Sequence, residues 1–140
     1  MFKFARVLAA LLLSLASLAA GAGGRPIPMV EIIDQPVHWP SGTPGSIDGV
    51  QKAVLRGLAD KGWVGEVKAP GEVHATLARD DWKCEIDVTF TSERYSIKYA
   101  ASEHLNYDPV KHLIHRNFNH WLVLLRERID LAMMTTSTAG

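Results

Sequence analysis

Residues 102–120 hold the densest collection of groups able to do chemistry. The run reads Ser102-Glu103-His104-Leu105-Asn106-Tyr107-Asp108, then His112, His115-Arg116-Asn117 and Asn119-His120. A neutral imidazole ligates metals, and histidine changes charge near physiological pH. His104, His112 and His115 are therefore the candidate ligands for a metal ion or a haem iron. His112 and His115 lie three apart, so on a helix they would share a face. His120, five beyond His115, would rotate away from them. No H-E-x-x-H or C-x-x-C spacing accompanies these residues. A solvated helix face behind a hydrogen-bonded loop explains the same residues without a ligand. The spacing favours that plainer reading, and no cofactor is expected.

Covalent catalysis has weaker support. Ser102 stands beside Glu103 and His104, but adjacent residues leaving a strand point apart. There is no G-x-S-x-G elbow and no glycine-rich phosphate loop. Asp80-Asp81 reads as a turn, and Glu85 and Asp87 read as carboxylates on a solvent face. No catalytic residue is expected, and a hydrolase is the weakest of the alternatives.

The elements that must position these groups follow from periodicity. Ile47, Val50, Val54 and Leu58 form a helical stripe behind a capping Ser46, with Asp48 in the first turn and Gly62 as a stop. The first helix is expected at 47–61. Strands follow at 63–68, 73–79, 83–90 and 95–99, separated by turn residues. Alternation gives them one apolar face that includes Cys84. The other face carries His74, Thr76, Glu85, Asp87, Thr89, Ser96 and Lys98. A hairpin through 91–94 would set Asp87 opposite Lys98 and Phe90 opposite Tyr95. Asp108-Pro109 reads as cap and first residue of a second helix at 109–132. Its apolar stripe is Val110, Ile114, Phe118, Trp121, Leu122, Leu125 and Ile129. The expected fold is α+β in two layers: a four-stranded antiparallel meander, a possible fifth edge strand at 29–34, and two helices on one face. Residues 133–140 should form a disordered tail. Trp39 and Trp82 fit no stripe. They would pack over the sheet edge or line a partner surface.

The chain starts with Lys3 and Arg6, then an apolar run from Val7 to Ala20, then Ala20-Gly21-Ala22. A basic head, a short apolar middle and a small-residue exit describe a secretory signal peptide over 1–22. Retention as an anchor is the alternative, because the uncharged stretch before Arg25 is only slightly short of the roughly 20 apolar residues a spanning helix needs. An extended Pro/Gly-rich segment at 23–45 then leads into a domain at 46–132. Without the leader about 118 residues remain, with 13 basic and 15 acidic side chains. That near-balance gives no electrostatic footprint for nucleic acid. No stable membrane span is expected once the leader is removed. Cys84 is the only cysteine, so no internal disulfide can form, and packing alone must hold the domain.

Several of these residues together carry a resemblance. Tyr95-Ser96-Ile97-Lys98-Tyr99, Ser102, Leu105-Asn106-Tyr107 and Ile114-His115-Arg116-Asn117-Phe118-Asn119-His120-Trp121 resemble a family of small exported proteobacterial proteins. The likeness extends upstream to the helix at 47–61 and Gly62-Trp63. That family has no assigned activity, and its members are often labelled lipoproteins. The resemblance implies an exported protein and directs attention to Ser102, Asn106, Tyr107, His115, Arg116, Asn117 and Asn119. Those residues could knot the loop and helix to the sheet, or they could bind an envelope protein or peptide. The lipid-attachment cysteine is missing here. The expectation is therefore a periplasmic or secreted location after cleavage near Ala22, and a binding or structural role.

Overall fold

A computed structural model describes residues 24–136. The expected leader and the last four residues of the expected tail lie outside the described residues. The elements are β1 (Ile27–Pro28), β2 (Ile32–Pro36), α1 (Ile47–Asp60), β3 (Val64–Ala69), β4 (Glu72–Ala78), β5 (Lys83–Phe90), β6 (Arg94–Glu103), β7 (Leu113–Ile114) and α2 (Arg116–Thr136). Five strands form an antiparallel sheet in the order β2-β6-β5-β4-β3. The fold is α+β, with the meander and the added edge strand in the arrangement the alternation implies. That edge strand is β2, a few residues later than 29–34.

Alternation decides which face is covered. Val73, Ala75, Leu77, Cys84, Ile86, Val88, Phe90, Tyr95 and Ile97 are all buried. Val50, Val54 and Leu58 of α1, and Phe118, Leu122, Leu125 and Ile129 of α2, complete the same core at zero exposure. Each such aliphatic side chain contributes roughly 1.5–3 kcal/mol by leaving water. The two helices cross closely at Gly57. A Cβ there would lie 2.9 Å from the Ile129 backbone nitrogen. Ser46 caps α1, its Oγ accepting the Gly49 N–H at 3.0 Å. The hairpin register sets Asp87 opposite Lys98 and Phe90 opposite Tyr95.

The second helix departs from expectation at both ends. It begins at Arg116, not at residue 109. Asp108 does cap, but it caps a turn: its Oδ1 accepts the N–H groups of Val110 and Lys111. His112 then adopts φ +53°. Leu113 and Ile114 pair with Pro28 and Ile27 as a two-stranded ribbon. Strand pairing thus overrides the helical periodicity of 110–114. Ile114 is buried in the ribbon, whereas Val110 is 87% exposed. At the other end the helix runs on to Thr136, because Ala132 and Met133 continue the buried stripe. Residues 133–136, expected in the tail, are the last turn of this helix. No helix among the described residues is long and apolar enough to cross a membrane.

Candidate functional site

The polar residues of 102–120 owe their placement to a bulge in β6. Ile86 pairs with Tyr99, but Glu85 pairs with Ala101, so Ala100 is an extra residue. An inserted residue reverses the alternation beyond it. Ser102 thereby returns to the helix-covered side, opposite Cys84. There its Oγ meets the Tyr99 hydroxyl at 2.7 Å. The Tyr99 ring stacks on Tyr107 with centroids 4.1 Å apart and meets the Phe118 edge at 5.8 Å. Burial raises the Tyr99 phenol above its ordinary pKa, and the bond with Ser102 opposes that shift. Ser102 and Tyr107 thus belong to one aromatic brace under the start of α2.

His115 forms the N-terminal boundary of α2. Its N–H donates to Leu105 O, its carbonyl accepts from Phe118, and its Nδ1 accepts the Asn117 N–H at 3.1 Å. An imidazole nitrogen here does what a serine or aspartate oxygen does in a typical cap. Accepting through Nδ1 places the ring proton on Nε2. Asn106 sits at φ +53°, a left-handed conformation that asparagine tolerates better than most residues. Asn119 reaches across to the N-terminal segment. Its Oδ1 accepts the Val30 N–H and its Nδ2 donates to Pro28 O, both at 2.9 Å. The side chains of Arg116 and Asn117 are exposed.

The histidines do not gather. His104 and His112 are exposed loop residues, both in left-handed conformation. His112 and His115 both precede α2, so the shared helix face drawn from their spacing does not exist. Among the described residues no three His, Cys, Asp or Glu side chains form a group able to hold a metal ion. Cys84 is fully buried, and burial, with a smaller contribution from Glu85, pushes its thiol up to about 12. Its thiolate is not available at neutral pH.

One cluster escaped the sequence reading. On the uncovered face of the sheet, His74 lies between two carboxylates. Its Nδ1 is 2.7 Å from Asp87 Oδ1, and its Nε2 is 3.1 Å from Glu85 Oε1. Imidazolium has two N–H donors and satisfies both carboxylates; neutral imidazole satisfies one. The hydrogen bonds to Asp87 and Glu85 raise the His74 pKa above its ordinary value, against a desolvation that lowers it. The partners sit at opposite ends of the ring, so the three groups do not point at a common centre. The cluster ties β4 to β5 electrostatically. Alternation alone puts the three on one face, but only the register that pairs His74 with Asp87 brings them into contact.

The tryptophans serve packing. Trp39 donates to Ser92 O at 2.9 Å and lies over Gly45 and Gly49, where any Cβ would collide with its ring. Trp82 stacks on Trp121 at 4.4 Å, with the Arg79 guanidinium 5.9 Å from its centroid. The β4–β5 turn, including Trp82, and His104 border an open polar cleft.

Comparison with protein families, curated proteins and solved structures found no match to this chain.

Proposed function

We propose that this chain is an exported protein of the cell envelope, periplasmic or secreted once its leader is removed near Ala22. It acts as a non-enzymatic binding or structural module and engages a protein or peptide through an edge of its sheet. The leader pattern and the resemblance to small exported proteins support the location. One observation carries the choice of surface. Ser102, Tyr107, His115 and Asn119 all bond or stack within the domain. Groups engaged in holding the fold are poorly placed to receive a partner, whereas a strand at a sheet edge keeps backbone donors and acceptors free for one.

Two measurements test this reading. Mass spectrometry of the protein recovered from the envelope fraction should find an N-terminus next to Ala22. Recovery from the cytoplasm with the leader intact would contradict export. A selection of displayed peptides against the exported chain should yield extended binders. N119A should lower the melting temperature yet leave their capture unchanged below it. Lost capture at an unchanged melting temperature would move the partner to the 102–120 surface.

A further inference from the structure

Strand β3 closes one side of the sheet and pairs only with β4. Its apolar residues are unusually open for a strand, with Val64 at 73% and Val67 at 45% exposure. Val67 shares a shallow cleft with Ile47 of α1, which is itself 40% exposed. The two charged residues of the strand, Glu66 and Lys68, flank Val67, and their side chains meet at 3.2 Å in the open. Charges on an edge strand usually discourage a further strand. This pair favours one alignment of β3 with itself over the others.

Consider a second β3 laid antiparallel against the first. With Val67 opposite Val67, Glu66 of each copy stands opposite Lys68 of the other. The symmetry makes this happen twice, and Lys68, the residue at which the ladder to β4 slips, lies within the contact. Centring the pair on Glu66 or on Lys68 instead sets like charges face to face. Centring it between residues leaves both charges opposite uncharged neighbours. A two-fold contact needs a self-complementary patch, and the sequence Glu66-Val67-Lys68 is one.

We infer that a second copy of this chain docks on β3 in the register centred on Val67, joining the two sheets edge to edge. Backbone bonds supply the pairing, the four charges fix the register, and Val67 and Ile47 of both copies lose water at the seam. The inference rests on the sheet-edge reading given above and names the partner for that edge.

Charge exchange tests it. Sedimentation velocity of the exported chain, from micromolar to about millimolar, should show a monomer–dimer equilibrium that weakens with salt. K68E and E66K each set like charges opposite one another in both contacts and should weaken the dimer by about tenfold or more. The exchanged variant E66K/K68E restores both contacts and should recover the dimer. K98E, on the same sheet but distant from β3, should leave the dimer unchanged. A monomer at every concentration, a dimer insensitive to K68E, or no recovery in the exchanged variant would overturn the inference. Selected peptides that still bind in a Lys68-dependent manner to a strictly monomeric chain would overturn the second copy and preserve the edge. Absence of both would remove the edge reading as well.

Discussion

The two outer strands of the sheet are built differently. On the β2 side, the strand is irregular and side chains tie it to its neighbour β6. Pro36 ends the strand, the register slips between Ile32 and Gln35, and Asp34 sits at φ +50°. Ser96 Oγ accepts the Asp34 N–H, Arg94 donates to Asp34 O, and Glu31 accepts the Tyr99 N–H. Asn119 holds the residues just before it. On the other side, β3 has its ladder to β4 and the contact of Leu55 and Leu58 of α1 over Gly65. It has no proline, and its own ladder to β4 slips between Val67 and Ala69, at Lys68. Bulges, prolines and short length blunt an edge, whereas charge alone blunts it only against mismatched charge. The difference teaches that β2 is an irregular strand tied by side chains to its neighbour and to the segment before it, while β3 is the edge fit to receive a strand.

Substitutions break this contrast in a definite order. G65L should have the largest effect. A Cβ at Gly65 already lies 3.1 Å from both Leu55 and Leu58, so a larger side chain would lift α1 from β3. The expected cost is about 3 kcal/mol, read by urea denaturation. N119A removes two hydrogen bonds from the segment leading into β2 and should cost about 2 kcal/mol. It should also speed exchange of the Val30 amide and leave β3 unaffected. H115A deletes the cap of α2 and should cost about 1 kcal/mol, visible as a lower melting temperature.

A smaller effect separates the two faces by pH. The His74 pKa is raised in the folded state by Asp87 and Glu85. Its stabilisation is therefore fully present below the unfolded value of about 6.5 and is lost as pH rises through the higher folded value. Lys83 near Glu85, Lys98 opposite Asp87 and Glu66 opposite His74 are the other charged groups around the cluster. The stability advantage of wild type over H74Q should shrink as the pH is raised. An advantage that grows with pH would contradict the clamp. The smallest effect on stability is expected from K68E, within about 0.5 kcal/mol, because its ion pair is exposed.

Much of the fold was legible in the sequence, and the exceptions have causes. Strands β4 and β5 follow from strict alternation, and α1 from its stripe and its Ser46 cap. Helix α2 was misplaced at its start because Val110 and Ile114 fit the helical period, while the ribbon that claims Leu113 and Ile114 depends on a strand at Ile27–Pro28, about 85 residues away. The bulge at Ala100 left no local mark, so the contact between Ser102 and Tyr99 could not be foreseen. The His74 cluster was hidden for a similar reason. Its members were placed on the same face, but His74, Glu85 and Asp87 come together only through the β4–β5 register. Asn119 and His115 stood out as polar residues beside an apolar stripe, and their partners became visible only in three dimensions.

Hydrogen exchange at several protein concentrations tests the central contrast most directly. The outward amides of β3 should exchange fast in dilute protein and gain protection as concentration rises, while the amides of β2 keep the same protection throughout. Outward β3 amides that exchange equally fast at every concentration, or β2 amides that gain protection in their place, would contradict the account.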